Sequence, residues 1–171
     1  MEFKLEKMKE QDWEEVQSIF REGIATGNAT FYTEAPEWEK WDKSHLRDCR
    51  LVARAEGKVI GWAALSPFSW KRFYAGIAEV SLYVTSSARG IGVGKALLNA
   101  LIEESEHVGI WTLQGMILRE NLTSLVLCKK CGFREVGYRE RISQMNGVWR
   151  DVILMERRSK VVGVREAGES K

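Results

Sequence analysis

A glycine loop between a strand pattern and a helix pattern constrains this chain more than any other feature. Residues 79–84 alternate in the manner of a β-strand, and residues 97–102 place apolar side chains at helical spacing. Between them lie three glycines and two cations, namely Gly90, Gly92, Gly94, Arg89 and Lys95. A glycine loop that opens a helix exposes backbone N–H groups, which bind phosphate oxygens without interference from side chains. This segment therefore predicts a site for a phosphorylated ligand.

The spacing of the glycines discriminates between three kinds of phosphate site. A nucleotide triphosphate loop needs G-x-x-x-x-G-K-S/T, but here Arg89 replaces the first glycine and Ala96 has no hydroxyl for magnesium. A dinucleotide loop needs G-x-G-x-x-G, and Lys95 or Leu97 replaces its third glycine, depending on the starting point. The third pattern, Arg-x-x-Gly-x-Gly, is complete and begins at Arg89.

The hydrophobic pattern of the whole chain predicts one mixed α+β domain. Asp12 and Glu15 suggest a capping box at the first helix, and Pro36 suits the first turn of the second. Asn146-Gly147 is the signal of a tight hairpin between the last two strands. Strands are predicted over 3–8, 50–55, 59–65, 78–84, 111–117, 135–144 and 149–155, and helices from 12, 36, 94 and 121 onward.

Composition narrows the class of protein. A net charge of +2 over 171 residues indicates neither nucleic-acid binding nor attachment to an acidic membrane. No apolar run approaches the ~20 residues that span a bilayer, and the charged N-terminus has no signal-peptide core. Three cysteines, an odd number without a secretion signal, favour a reduced cytoplasmic protein. We therefore expect a single-domain cytoplasmic protein with no membrane or nucleic-acid partner.

A second motif points to a family. Residues 121–133 resemble the signature Asn-x-x-Ser/Ala-x-x-Leu-Tyr-x-x-x-Gly-Phe of the GNAT superfamily of N-acetyltransferases, and Arg-x-x-Gly-x-Gly resembles its acyl-CoA pyrophosphate loop. Segments 31–36, 70–71, 78–79 and 146–151 also look like the phosphinothricin and methionine sulfoximine acetyltransferase subgroup. The resemblance implies a GNAT fold, with helices around a central, mostly antiparallel mixed sheet. It places the acetyltransferase domain at residues 1–158 and a polar tail at 159–171.

The resemblance also implies a binding site for acetyl-CoA and needs no metal. Strand backbone would hold the pantetheine arm and polarise the thioester carbonyl, and the glycine loop would hold the pyrophosphate. The residues expected to bind acetyl-CoA are Leu82, Tyr83, Val84, Arg89, Gly90, Ile91, Gly92, Val93, Gly94, Lys95, Asn121 and Ser124.

Glu79 is the predicted catalytic base. An amine is protonated at pH 7 and cannot attack a thioester until a nearby carboxylate accepts its proton, directly or through a water. Glu79 is the only acid on the central strand, and the resemblance assigns it this role. Cys128 stands where many superfamily members carry a tyrosine that protonates the departing thiolate. The general acid, either Cys128 or water, is therefore left open.

Substrate contacts are predicted from the aromatic and basic loops. The substrate would be a small amino-acid-like molecule, whose carboxylate requires a cation. Lys71 occupies the slot that matches the subgroup's arginine, and Arg72 lies beside it. The predicted substrate-binding residues are Phe31, Lys71, Arg72, Tyr74 and Trp149.

The predicted reaction is direct transfer of the acetyl group from acetyl-CoA to a primary amine in a ternary complex. Two other functions stay open at this stage: an acyl-CoA-binding regulatory module without transfer activity, and a protein N-acetyltransferase. A homodimer is expected by analogy with the subgroup. The sequence does not identify the amine.

Overall fold

A computed structural model describes residues 1–164 and contains the eleven elements in the predicted order. The four helices are α1 (Trp13–Ala25), α2 (Trp38–Ser44), α3 (Val93–His107) and α4 (Leu122–Lys130). The seven strands are β1 (Lys4–Lys7), β2 (Arg50–Ala55), β3 (Lys58–Pro67), β4 (Ile77–Val84), β5 (Thr112–Leu118), β6 (Arg134–Met145) and β7 (Val148–Arg158). Within the described range no helix is long and apolar enough to cross a membrane.

Within residues 1–164 the seven strands form one sheet in the order β1-β2-β3-β4-β5-β7-β6, in which only β4 and β5 run parallel. These two strands pair through three residues each, Ile77–Glu79 with Thr112–Gln114. Beyond Glu79 they separate, although β4 continues to Val84 and β5 to Leu118. The sheet is therefore split at its centre, and Glu79 lies at the vertex of the split.

The two faces of the sheet are covered by different helices. Val80, Leu82 and Val84 pack against the larger hydrophobic cluster, which contains the buried face of α3. Tyr83 points to the opposite face and packs against a second cluster formed by α1, α2 and β3. This alternation along β4 follows from the period of two in a strand. Side chains on the two faces of the sheet consequently belong to different cores.

Asp12 is the N-cap residue of α1, as predicted, but two other predictions about helix starts are wrong. The Asp12 carboxylate accepts from the Lys9 N–H (2.9 Å) and pairs with Arg54 (2.6 Å), while Glu15 accepts from the Val59 N–H (2.8 Å). The expected capping box does not form, because neighbouring strands bind both carboxylates. Helix α2 begins at Trp38 rather than at Pro36, whose carbonyl accepts a hydrogen bond from α1 instead.

The C-terminal hairpin forms as predicted. Asn146 and Gly147 adopt φ angles of 50° and 79°, which are the left-handed conformations of a two-residue turn. Ser159, the first residue of the predicted polar tail, is buried and donates a hydrogen bond to Glu106 of α3 (2.8 Å). The described start of that tail is thus attached to the domain, and residues 165–171 lie outside the described range.

Candidate active site

A cavity of about 520 Å³ occupies the split between β4 and β5. Leu82, Leu98 and Cys128 line it from the α3–α4 side of the sheet. Phe20, Trp41 and Trp62 line it from the α1–α2 side. Since the lining residues belong to both cores, the cavity connects the two faces of the sheet. Two molecules can therefore approach each other from opposite sides.

Glu79 lines this cavity at the vertex of the split. Its neighbours across the sheet are Ser66 on β3 and Gln114 on β5, and the Gln114 amide donates a hydrogen bond to Glu79 Oε2 (3.0 Å). In residues 1–164, Glu79 Oε1 has no hydrogen-bond partner. One carboxylate oxygen is therefore held in place, and the other is available as an acceptor.

The part of β4 beyond Glu79 offers backbone groups to a ligand. This part pairs with β3 on one side, and the partner strand β5 has already diverged on the other. Leu82 and Tyr83 line the cavity. Val84, the last residue of β4, is not among the lining residues, and its carbonyl accepts from Arg89 Nε (3.4 Å). An open strand edge of this kind can pair with an extended amide-containing chain.

The glycine loop lies at the end of β4 and forms the N-terminus of α3. Gly90 and Gly92 have φ angles of 80° and 94°, which an L side chain adopts only with strain. Helix bonding begins with the Ala96 N–H to the Gly92 carbonyl (3.0 Å), so the preceding N–H groups have no partner within the helix. The predicted pyrophosphate residues thus form one loop with free N–H groups.

Glu22 of α1 anchors this loop, a contact that the sequence analysis missed. Its carboxylate accepts hydrogen bonds from the Thr85 hydroxyl (2.8 Å) and the Ser86 N–H (2.8 Å). Partial burial raises the pKa of Glu22, but these hydrogen bonds and the nearby Arg89 charge outweigh it and lower the pKa overall. No sequence signal distinguishes Glu22 from the solvated acids of the same helix.

The second signature forms the start of α4. Asn121 Oδ1 accepts from the Ser124 N–H (3.2 Å) and caps the helix, and both residues line the cavity. Cys128 lines the same wall, and burial raises the pKa of its thiol to about 11. Cys128 is therefore a neutral thiol at pH 7.

The predicted substrate residues divide into two groups. Phe31 lines the cavity. Lys71, Arg72 and Tyr74 lie in an exposed loop and are not among the lining residues, and Trp149 is exposed on β7. Within the described chain, Lys40 of α2 is the only Lys or Arg that lines the cavity. A role for Lys71, Arg72, Tyr74 or Trp149 in substrate binding stays a prediction.

Aromatic rings form the α1–α2 wall of the cavity. Tyr83 stacks on Trp62 at 4.9 Å between ring centres, and Trp41 meets Trp62 edge to face at 5.8 Å. Burial raises the pKa of Tyr83 to about 12, so its phenol is neutral. The wall is suited to a small organic molecule. In the described residues no group of three or more acidic, histidine or cysteine side chains is placed to hold a metal ion.

Comparisons with known proteins agree with this architecture. The model of the acetyltransferase (GNAT) family matches residues 11–133. A Bacillus subtilis protein provisionally named phosphinothricin acetyltransferase is 34% identical over 152 residues, covering 86% of this chain and 93% of that protein. An L-methionine sulfoximine/L-methionine sulfone acetyltransferase from Pseudomonas paraeruginosa is 30% identical, covering 77% and 81%.

The fold has solved counterparts. The crystal structure of a GNAT superfamily phosphinothricin acetyltransferase from Sinorhizobium meliloti, in complex with acetyl-CoA, superposes with a TM-score of 0.86 at 26% identity. The match covers 99% of this chain and 95% of that one. The chain belongs to the GNAT acetyltransferase family. It is thus an N-acetyltransferase with the predicted α+β fold, and acetyl-CoA is its acetyl donor.

Proposed function

We propose that this enzyme acetylates the primary amine of a small amino-acid-like substrate of the phosphinothricin or methionine sulfoximine type. The observation that carries the proposal is the position of Glu79 at the vertex of the split, with Oε1 available to the cavity. The names of the relatives support the substrate class. Neither a regulatory module nor a protein acetyltransferase is favoured by the relatives reported above.

The proposed reaction is direct attack in a ternary complex. Acetyl-CoA lies on the α3–α4 side, with its pyrophosphate on the Arg89–Lys95 loop and its pantetheine arm along Leu82–Val84. The amine enters from the α1–α2 side, and Glu79 accepts its proton, directly or through one water. The nitrogen then attacks the thioester carbon, and the C–S bond breaks. The acetylated nitrogen loses its second proton to water, and the CoA thiolate is protonated by Cys128 or water. Because a thiol has a pKa of about 8.5, a dedicated acid is not essential.

A panel of amines tests the substrate class. Release of the CoA thiol is measured with phosphinothricin, methionine sulfoximine, methionine sulfone, ordinary amino acids and a lysine-containing peptide. We expect the compounds with a tetrahedral phosphorus or sulfur centre to give the highest kcat/KM. Tight CoA binding without thiol release from any amine would contradict the proposal and favour the regulatory module. Preferential acetylation of the peptide would favour a protein acetyltransferase.

The cation that binds the substrate carboxylate is tested by two matched substitutions. Arg72→Met removes a residue proposed from the sequence, and Lys40→Met removes the cation that lines the cavity. Loss of the correct ion pair is expected to raise KM for an amino acid about tenfold, but not KM for the corresponding amine without a carboxylate. A rise in KM confined to Arg72→Met would support the sequence prediction that Arg72 binds the substrate carboxylate. A rise confined to Lys40→Met would assign that role to Lys40 instead.

We further propose that the enzyme is cytoplasmic and homodimeric. All three cysteines are free thiols, which suits a reducing compartment. Strand β6 lies at one edge of the sheet, and the β6–β7 hairpin exposes Tyr138, Val148 and Trp149. An edge strand with exposed apolar side chains is a common surface for pairing between copies. Light scattering after gel filtration measures the mass in solution, and we expect it to be that of two chains.

A further inference from the structure

His45 lines the α1–α2 side of the cavity and is held firmly in place. Arg50 is buried and donates to the carbonyls of His45 (3.0 Å) and Leu46 (2.5 Å). The Leu46 N–H donates to the carbonyl of Leu65 (2.8 Å), the residue before Ser66 on β3. Ser66 is the sheet partner of Glu79. The backbone of His45 is therefore linked by hydrogen bonds to β3, the strand beside β4, which carries Glu79.

The hydrogen bonds of the His45 ring determine which nitrogen carries the proton. Nδ1 lies 2.9 Å from the Trp41 carbonyl, which can only accept, so Nδ1 is the protonated nitrogen. The Ser44 hydroxyl also donates to that carbonyl (2.9 Å), and its oxygen lies 2.9 Å from Nδ1. The ring stacks on Trp41 at 4.1 Å between centres. In the neutral imidazole, Nε2 is consequently an acceptor with a free lone pair.

The environment keeps the ring neutral. Burial lowers the pKa of His45 to about 4; the Trp41 carbonyl opposes the shift, the Arg50 charge adds to it, and Asp42 opposes it. Lys40 and Glu79 are the other charged groups that line the cavity. Within the described chain Nε2 has no hydrogen-bond partner. The surrounding aromatic wall therefore contains one acceptor that stays unprotonated throughout the neutral pH range.

We propose that His45 is a substrate-binding residue whose Nε2 accepts a hydrogen bond from an N–H of the substrate amino group. An ammonium has three N–H groups and Glu79 accepts one of them, so a second acceptor on the α2 wall limits how the nitrogen rotates. After Glu79 has taken one proton from the substrate amine, another N–H of the amine stays hydrogen-bonded to His45 Nε2. This bond turns the lone pair of the amine nitrogen toward the thioester. This inference rests on the proposed function and adds a determinant of specificity for primary amines.

Two substitutions at one position separate this role from a structural one. His45→Asn keeps an N–H donor near the position of Nδ1, which bonds the Trp41 carbonyl, but removes the acceptor at Nε2. His45→Gln places an amide oxygen near the position of Nε2. His107→Asn, at the exposed end of α3, is the control. Amine affinity is measured twice, as KM and as Kd from tryptophan fluorescence with CoA bound, where no acetyl transfer occurs.

We expect His45→Asn to raise both KM and Kd for the amine about tenfold, the effect of losing one charge-assisted hydrogen bond. KM for acetyl-CoA is expected to stay unchanged, and His45→Gln to recover most of the amine affinity. Since the pKa of His45 is about 4, the ratio of the amine Kd in His45→Asn to that in wild type should be the same at pH 6 and pH 8. Preference for a primary amine over its N-methyl derivative should fall in His45→Asn.

Three results would overturn the inference. They are wild-type amine affinity in His45→Asn, equal losses of amine affinity in His45→Asn and His45→Gln, or a variant-to-wild-type ratio of amine Kd that falls to one at pH 6. Failure of the proposed function is a separate outcome. In that case wild type releases no CoA thiol with any amine, while the fluorescence titration still reports whether amines bind and whether His45 contributes.

Discussion

Glu79 has one oxygen bound to Gln114 and the other open to the cavity, an asymmetry that suits the general base proposed for this enzyme. The amide of Gln114 holds Oε2 of the carboxylate without occupying Oε1, the oxygen proposed to contact the amine. The bond comes from a side-chain amide and leaves Oε1 without a partner in residues 1–164, so this oxygen is available to the amine in the proposed reaction. At the scale of single residues, the proposed chemistry therefore depends on Glu79 and Gln114, which are neighbours across two parallel strands.

Glu79→Gln tests this arrangement with little disturbance of the fold. A glutamine oxygen can still accept from Gln114, but the side chain no longer accepts the amine proton. We expect kcat/KM to fall by ~10²-fold or more, the usual scale for loss of a general base, while CoA binding is retained. Steady-state kinetics and a CoA titration measure the two quantities, with Glu135→Gln on the exposed face of β6 as control. Wild-type activity of Glu79→Gln across pH 6–9 would rule out the assignment.

At the scale of elements, helix α1 organises a loop that belongs to another part of the chain. Glu22 reaches across the sheet end to Thr85 and Ser86, which precede the glycine loop. Gly94 allows α3 to approach α4 closely, because a Cβ at this position would lie 3.3 Å from the Leu127 side chain. The geometry of the predicted phosphate loop thus depends on three helices (α1, α3 and α4) and on the end of β4.

Glu22→Ala removes both hydrogen bonds to the start of this loop. We expect KM for acetyl-CoA to rise several-fold with little change in kcat, and the free energy of unfolding to fall by about 1–2 kcal/mol. Glu14→Ala, an exposed acid on the same helix, is the matched control for urea unfolding and kinetics. Since hydrogen bonding lowers the pKa of Glu22, its stabilising contribution is present above the ordinary glutamate pKa and is lost in acid. Equal KM values in the two variants would show that Glu22 does not order the loop.

At the scale of the whole molecule, Arg150 connects segments that are far apart in the chain. From β7 its guanidinium donates to the Gly27 carbonyl (3.0 Å), Asn28 Oδ1 (2.8 Å) and Glu120 Oε2 (3.0 Å). Residues 29–32 line the α1–α2 side of the cavity, and Asn121 lines the α4 wall. Arg150 therefore links the segments that precede both walls of the split.

Arg150→Met is expected to loosen the connection between the two walls. The unfolding free energy should fall by about 2 kcal/mol, because three partners of a mostly buried cation lose their bonds. KM for the amine should rise more than KM for acetyl-CoA, since the loop at residues 27–32 borders the amine side. Arg139→Met on the exposed surface of β6 provides the comparison in thermal unfolding and kinetics. A larger effect on acetyl-CoA than on the amine would contradict this role.

Features that depend on neighbours in the chain were predicted well. The strand before the glycine loop, the helix after it and the Asn146-Gly147 turn follow from local sequence patterns, and the structure contains all three. The capping box at Asp12 failed because Arg54 and Val59, more than 40 residues away, bind the same carboxylates. Local signals are reliable only where no distant partner competes for the same group.

The sequence by itself determined the order of the elements, the glycine loop and the identity of Glu79 as the only acid on the central strand. Periodicity, backbone conformation and motif spacing are local properties, so they can be recognised along the chain. The tertiary structure alone decided that β4 and β5 separate after Glu79, that Gln114 orients its carboxylate, and that Lys40 and His45 line the cavity while Lys71 and Arg72 do not. These facts depend on contacts between strands and helices that are distant in sequence, where side-chain direction and packing, rather than spacing, determine which groups meet.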